Sequence, residues 1–347
     1  MNYAVLDGVR AEYPAEYVTH DFARVCEDPD IDAVLIGTKP SFRLPIMSAA
    51  VAHGKHIFVE KPMSMDLMET IDMYRLICGS RSRFMVGHNR PYSPIMRDAK
   101  DLFQRARLGC DARANRSLII YRIVGEAQLW PEHHRSSVLR GESTIIHELT
   151  HIFDLLNWLL DAEPTSVFAA GGGNMDNTIT LEYPDGTTAV IISGDNGSAG
   201  YPKEWLEINT NHTVISARSF VELVFSGERL GHGRRLYPYT VDGKSVSTSF
   251  HDYENLIWEA RVSITDRERE HGYYYHKMPL ENKGHAEELD AFYDLVVKGI
   301  PIAADVRRSA LATLIALQAI DSLHARQPLR LTFPELSRIS DVEIIQV

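Results

Sequence analysis

Two groups of residues in this 347-residue chain carry side chains that could move a proton. One is Lys61, which follows an apolar run in the segment F-V-E-K-P, and the other is His147 together with His151 and Asp154. Lysine and histidine act as general acids or bases when their surroundings bring the pKa close to the working pH. Positions 147, 151 and 154 share one face of a helix, so the spacing predicts that these three side chains point the same way.

The segment 147–151 also matches the H-E-x-x-H pattern of zinc enzymes. In that interpretation His147 and His151 share a divalent metal ion, and Glu148 activates a water molecule. The third ligand of the extended H-x-x-G-x-x-H form is absent, because Ile-Phe-Asp-Leu-Leu-Asn follows His151. A different interpretation is that the histidines only form hydrogen bonds inside the fold. The pattern alone leaves these interpretations open.

The elements around Lys61 place it where α/β proteins bind ligands. Val- and Ile-rich segments alternate with helical segments between residues 32 and 87, which indicates a parallel sheet. Pro62 lacks a backbone N–H, so the strand before Lys61 ends there. Another predicted strand, 84–87, leads into His88 and Asn89. Parallel sheets bind ligands beyond the carboxyl ends of their strands, and this makes all three polar residues candidates for a site.

The pattern changes after about residue 95. We predict strands at 117–124 and repeatedly from 166 to 250, a long helix over 144–160, and closing helices over 284–298 and 306–326. The predicted fold is therefore an α/β Rossmann-type parallel-sheet domain over residues 1–95 and an α+β domain over 96–347. The second domain has a large, mostly antiparallel open sheet, and its closing helices could pack back on the first domain.

Composition narrows the functional class. The net charge of −11 argues against nucleic-acid binding, and 44% hydrophobic with 24% charged residues is ordinary for a soluble globular protein. Three widely spaced cysteines, Cys26, Cys78 and Cys110, argue against a disulfide framework and suit a reducing compartment. We find no apolar run long enough for a membrane span and no signal-peptide pattern, so we expect a cytoplasmic enzyme.

With E-K-P after one strand, G-H-N-R after the next and a histidine-bearing helix, the chain resembles the Gfo/Idh/MocA family from about Ala4 to Leu331. This family comprises sugar and polyol oxidoreductases that use NAD or NADP. The resemblance implies an oxidoreductase that acts on a sugar, polyol or glycoside by hydride transfer. It also implies a C-terminal domain whose open sheet often forms the interface of a homo-oligomer.

The resemblance further implies roles for individual residues. Lys61 and His151 would handle the substrate proton, with Asp154 and His147 in support; many relatives carry Asp at the position of His147. Asp154 would orient a neighbour or pair with an arginine. Cofactor binding falls to residues at the strand ends, namely Asp7, Thr38, Glu60, Lys61, His88 and Asn89. Apart from the resemblance, an aromatic and polar set could line a sugar site or could equally be a packed loop, namely Tyr121, Trp130, His133 and His134.

The alternative function is a cofactor-poor carbohydrate lyase or hydrolase of the same fold, with a divalent metal on His147, Glu148 and His151. The missing glycine turn and the H-E-x-x-H pattern favour it, and two departures from the family weaken the case for dinucleotide binding. The chain contains no G-x-G-x-x-G turn, and Tyr3–Asp7 resembles the family's second strand, either because the start codon is assigned too late or because the protein lacks the fingerprint. Residues 38–43 are T-K-P-S-F-R where the family commonly has T-P-N-x-x-H.

Overall fold

The structure is a computed structural model that describes residues 8–337, apart from 9, 11, 14, 109–115, 130–142, 173–174, 272–274 and 304. The candidate residues Asp7, Trp130, His133 and His134 lie outside the described residues.

The N-terminal part contains the predicted parallel sheet. In the described residues its strands are β1 (Ala33–Ile36), β2 (His56–Val59) and β3 (Phe84–Val86), in the order β1-β2-β3. Ile36 pairs with Val59, which pairs with Val86, so the residues that follow the three strands lie side by side at one edge. The helices of this part are α1 (Phe22–Glu27), α2 (Arg43–Ala52) and α3 (Leu67–Cys78).

Both predicted N-caps are present. The Asp21 side chain accepts a hydrogen bond from the Ala23 N–H at the start of α1. The Asp66 side chain accepts one from the Glu69 N–H at the start of α3. Asp66 and Glu69 form only half of a capping box, because the Glu69 carboxylate accepts a hydrogen bond from the Ser64 hydroxyl.

The C-terminal part is built on a nine-stranded sheet, counted over the described residues, which confirms the predicted mostly antiparallel open sheet. The strands are β4 (Ser117–Val124), β5 (Ser166–Gly171), β6 (Asn177–Glu182), β7 (Thr188–Gly194), β8 (Glu204–Thr210), β9 (Thr213–Arg218), β10 (Glu222–Gly227), β11 (Gly231–Leu236) and β15 (Leu329–Arg330). Their order in the sheet is β11-β10-β9-β8-β4-β7-β6-β5-β15, and within it β4 and β7 are parallel. A small separate sheet contains β12 (Tyr239–Val241), β13 (Lys244–Val246) and β14 (Leu280–Glu281).

Eight α-helices of the described residues follow the parallel sheet. They are α4 (Pro94–Arg107), α5 (Thr144–Glu148), α6 (Thr150–Leu160), α7 (Phe250–Val262), α8 (Asp266–His271), α9 (His285–Lys298), α10 (Val306–Ala325) and α11 (Pro334–Ser337). The long helix α10 lies against β5 and α6 and also reaches α3 and β3, so one apolar core runs through both parts of the chain.

Helix α9 packs back on the parallel sheet. Phe292 and Leu295 of α9 form a buried cluster with Phe58, Met85 and Tyr92. The helix can approach this closely because residue 284, before its first turn, is a glycine with φ of +90°. A Cβ atom at that position would collide with backbone atoms of the 89–93 segment.

The predicted helix over 144–160 is divided in the structure. It consists of α5 and α6, with Leu149 between them. The Ile152 N–H donates to the Leu149 carbonyl, an i+3 bond that tightens the turn, while the buried Leu149 side chain keeps the two segments packed on the core. His147 and His151 therefore lie on different sides of this junction.

None of the helices in the described ranges combines the length and apolar character that crossing a membrane requires.

Candidate active site

Arg43 fixes the turn that carries Lys61. Its Nε donates to the Thr38 carbonyl at 3.0 Å, and its Nη1 donates to the carbonyls of Glu60 and Pro62. Arg43 is buried, and burial lowers its pKa to about 10. The Lys61–Pro62 peptide bond is cis. Position 43 is the histidine position of the T-P-N-x-x-H pattern, and this chain has an arginine there. That difference was visible in the sequence, but no role was predicted for Arg43.

Lys61 lies against the junction between α5 and α6. Its Nζ donates to the His147 carbonyl at 2.6 Å and lies 4.0 Å from Glu148 Oε1. Burial lowers the pKa of Lys61, although the Glu148 carboxylate opposes that change. The structure therefore joins the strand-end lysine to the histidine-bearing segment, 86 residues later in the chain.

His151 is a buried, neutral imidazole. Burial lowers its pKa well below the usual value, and the positive charges of Arg90 and Lys61 lower it further. Its ring meets the His88 ring edge to face, with 5.8 Å between the centroids. Its Nδ1 has no hydrogen-bond partner among the described residues. An unprotonated histidine can accept a proton, and the proton-handling role of His151 stays a prediction.

Asp154 pairs with an arginine, one of the two roles predicted for it. Arg308 donates to both Asp154 oxygens, with Nε–Oδ1 at 2.7 Å and Nη2–Oδ2 at 3.2 Å. His88 Nδ1 lies 3.5 Å from the same Oδ1. Burial alone would raise the pKa of Asp154, but Arg308 and His88 hold it low. The acid therefore stays charged, and His88 lies between it and the His151 ring.

The predicted cofactor residues divide into exposed and buried ones. Thr38 and Glu60 are exposed at the edge where β1 and β2 end. His88 and Asn89 are buried, and the Asn89 amide donates to the Lys283 carbonyl at 2.7 Å. A cofactor contact by either buried side chain stays a prediction.

Glu204 is the centre of a buried polar cluster. It accepts hydrogen bonds from Arg90 at 2.8 and 3.0 Å, from the Tyr121 hydroxyl at 2.7 Å and from Lys283 Nζ at 3.0 Å. Tyr121 is completely buried here, so the expectation that it lines a sugar site is wrong. Buried and more exposed residues alternate along β4, because successive side chains of a strand point to opposite faces, and Tyr121 is on the buried face.

Two further buried acids near the site were not identified from the sequence. Burial, reinforced by Glu60 and Asp154, raises the pKa of Glu288 to about 9. Burial and the Glu148 charge raise the pKa of Asp195 to about 7. Glu288 Oε1 and Asp195 Oδ2 have no hydrogen-bond partner among the described residues. Both acids lie far in sequence from the segments that pointed to a site.

The metal alternative gains no support from the geometry. Across the part of the chain that is described, no three His, Cys, Asp or Glu side chains converge as metal ligands would. The Glu148 carboxylate instead faces Lys61 and Lys203. His151 faces His88, while the His147 contact that positions Lys61 is made by its backbone carbonyl.

Comparison with known proteins shows what the chain is similar to. A model described as an oxidoreductase family with an NAD-binding Rossmann fold, GFO_IDH_MocA, matches residues 5–88. This part of the chain is similar to the Gfo/Idh/MocA family, and the relatives extend the similarity along most of the chain. The myo-inositol 2-dehydrogenase of Thermotoga maritima is 22% identical over 308 residues, which cover 88% of this chain and 81% of that protein. The scyllo-inositol 2-dehydrogenase (NAD(+)) of Bacillus subtilis is 30% identical over 193 residues, or 55% of this chain and 54% of that protein.

The solved structures agree on the Gfo/Idh/MocA fold. The scyllo-inositol dehydrogenase of Lactobacillus casei, solved with NAD(H) and scyllo-inositol, is 18% identical and has a TM-score of 0.64. The similarity covers 94% of this chain and 88% of that one. This likeness shows the fold alone. In sequence, the chain spans about half the length of several curated relatives that it matches.

Proposed function

We propose that the chain is an NAD- or NADP-dependent oxidoreductase that oxidises a hydroxyl group of a sugar, polyol or glycoside. The observation that carries the proposal is the meeting of Lys61, from the edge of the parallel sheet, with the segment that contains His151. Both residues come from positions that the family resemblance assigns to proton handling. The similarity to the family supports the redox chemistry, and the substrate class follows the curated relatives.

The residues at the edge of the parallel sheet fit the nicotinamide end of such a cofactor. Thr38, Glu60 and Lys61 follow two neighbouring strands and lie beside one another. Gly87 follows the third strand, where a Cβ atom would come within 3.4 Å of Glu60 Oε2, so the missing side chain leaves room for that carboxylate. A bound NAD or NADP would supply the hydride acceptor, and these residues would hold it.

The chain's own residues would handle the proton. His151 would accept the hydroxyl proton as the alcohol is oxidised. Burial and its positive neighbours keep the ring unprotonated beforehand, and because they also disfavour the imidazolium, the proton would be passed on rather than kept there. The Lys61 ammonium, fixed on the His147 carbonyl, would stabilise negative charge on the substrate oxygen. In the reverse direction His151 would return the proton, and the Lys61 ammonium would again stabilise the substrate oxygen.

The test uses the purified chain with NAD or NADP and a panel of inositols, other polyols, aldoses and glycosides, followed by reduced-nicotinamide absorbance. Lys61→Ala and His151→Ala should each lower kcat/KM by roughly 10²–10⁴-fold, the usual loss of a general acid or base. Lys298→Ala and His324→Ala change exposed residues of the same types and should leave it unchanged. Turnover that survives loss of Lys61, or that disappears on chelation without any need for NAD or NADP, would contradict the proposal.

We also propose a homo-oligomer that forms through the open face of the large sheet. Leu118, Phe168, Ile192 and Val214 are all at least 38% exposed. The strand registers place them on the face opposite the helices. An apolar surface of this kind on a pleated sheet suits contact with a second copy.

A further inference from the structure

The Glu148 carboxylate lies between two lysines. Its Oε1 is 4.0 Å from Lys61 Nζ, and its Oε2 is 3.5 Å from Lys203 Nζ. The two lysines differ in their contact with solvent, since the Lys61 side chain is 20% exposed and that of Lys203 is 44% exposed. Lys203 therefore keeps more hydration, whereas Lys61 depends more on the carboxylate to remain charged.

Two adjacent residues contact the Lys61 ammonium group, His147 through its backbone carbonyl and Glu148 through its side-chain carboxylate. An ammonium group has three N–H donors, and the His147 carbonyl accepts one of them at 2.6 Å. Glu148 is the next residue, so its charge lies close to the same nitrogen. At position 147 the chain offers a carbonyl and a histidine, and among the described residues the carboxylate that lies 4.0 Å from Lys61 Nζ is that of Glu148.

The surrounding charges show how strongly these groups depend on one another. For Lys61, burial lowers the pKa, Glu148 and Glu60 raise it, and Arg90 and Lys203 lower it. For Glu148, burial would raise the pKa, but Lys203, Lys61 and Arg90 outweigh burial and the like charge of Glu204. Glu148 therefore stays ionised at neutral pH. Asp195 also faces Glu148, and that negative charge helps to raise the pKa of Asp195.

We propose that Glu148 is a positioning residue for Lys61, which it holds in the ammonium form beside the His147 carbonyl, and that Lys203 competes for the same carboxylate. The inference rests on the proposed function, in which Lys61 acts on the substrate oxygen. It gives Glu148 a part in the oxidoreductase site that needs no metal. Lys203 then adjusts the charge on Lys61 without touching it.

The direct test measures the charge of Lys61 in the chain without cofactor or substrate. Competitive acetylation with acetic anhydride over a range of pH, read by peptide mass spectrometry, follows the neutral amine of each lysine. Glu148→Gln should lower the pKa of Lys61 and speed its labelling several-fold at neutral pH. Lys203→Met should raise that pKa and slow the labelling. The exposed Lys244 serves as the internal reference, and Lys298→Met is the control, because Lys298 pairs with Asp294 elsewhere.

Opposite shifts in the two variants would support the proposal, and shifts in one direction or no shift would overturn it. If Glu148→Gln does not fold, Lys203→Met decides alone, since unchanged labelling of Lys61 would contradict the shared carboxylate. In an active enzyme the alkaline limb of the kcat profile should move in the same two directions. Because acetylation needs no turnover, a shift in labelling without dehydrogenase activity would leave this inference standing and reject the proposed function.

Discussion

Arg43 connects three backbone carbonyls around Lys61, and its bond to the Pro62 carbonyl is buried. It donates to the carbonyls of Thr38, Glu60 and Pro62, on both sides of Lys61. Arg43→Met should lower the free energy of unfolding by about 2–4 kcal/mol, because a buried acceptor left without a donor costs about 1–3 kcal/mol. Urea unfolding followed by circular dichroism measures the change.

A second substitution in α2 controls for the helix itself. Ser48 is exposed and bonds only locally, to the Leu44 carbonyl, so Ser48→Ala should change the unfolding free energy by less than about 0.5 kcal/mol. Equal losses in the two variants would show that Arg43 does not brace the turn.

The individual candidates and their partners differ in how far the sequence could identify them. Lys61 and His151 were identified because each follows from a local pattern, a strand end or a helical spacing. Their partners come from distant positions: Arg308 is 154 residues from Asp154, and Glu204 is 114 residues from Arg90. Helical or strand periodicity reaches only a few residues, so such pairs appear only when the elements pack. The prediction that Tyr121 lines a sugar site was wrong for the same reason, because the tertiary structure decides which face of β4 packs on the core.

At the scale of elements, Glu204 ties the large sheet to the parallel sheet. It begins β8, and Arg90 follows β3 and donates to both of its carboxylate oxygens. Glu204→Gln should lower the free energy of unfolding by about 3–5 kcal/mol at neutral pH, because it leaves the buried Arg90 charge without its partner. Glu207→Gln, on the same strand and half-exposed, is the matched control and should have little effect.

The effect of Glu204 should depend on pH in one direction. Burial alone would raise its pKa, but Arg90 and Lys283 hold it well below the usual value. The unfolded chain therefore binds the proton first, at a pKa of about 4.3. The stabilisation by Glu204 is complete above that pH and decreases as the pH falls toward the folded-state pKa. The difference between parent and Glu204→Gln should shrink in acid, and a constant difference from neutral to acid pH would contradict the assignment.

The elements were more predictable than their exact junctions. Alternating apolar residues indicated β4 and the β6–β7 hairpin, and acidic caps marked α1 and α3. The division between α5 and α6 was missed, because Leu149 continues the helical apolar pattern while its carbonyl accepts an i+3 bond. That junction is also where Lys61 makes its contact, so the local departure from a regular helix lies in the candidate site.

For the whole molecule, the two faces of the large sheet have different surroundings. Helices α4 and α10 lie against one face, whose residues, such as Ile119 and Ile191, are buried. The opposite face shows Leu118 and Ile192 to solvent in this single chain. This face of a nine-stranded sheet carries Leu118, Phe168, Ile192 and Val214 and offers the area that a stable subunit interface needs, which is why we propose the partner copy there.

Ile192→Glu and Leu118→Glu test this assembly. Each places a charge at the centre of the open face, and an unpaired charge at a buried interface should weaken self-association roughly tenfold or more. Sedimentation velocity over a range of protein concentrations should show the parent as an oligomer and both variants shifted toward the monomer. Val262→Glu puts the same charge on an exposed apolar residue of α7 and should leave the assembly unchanged. A parent chain that sediments as a monomer at every concentration, or variants that assemble as the parent does, would remove the open face as the interface.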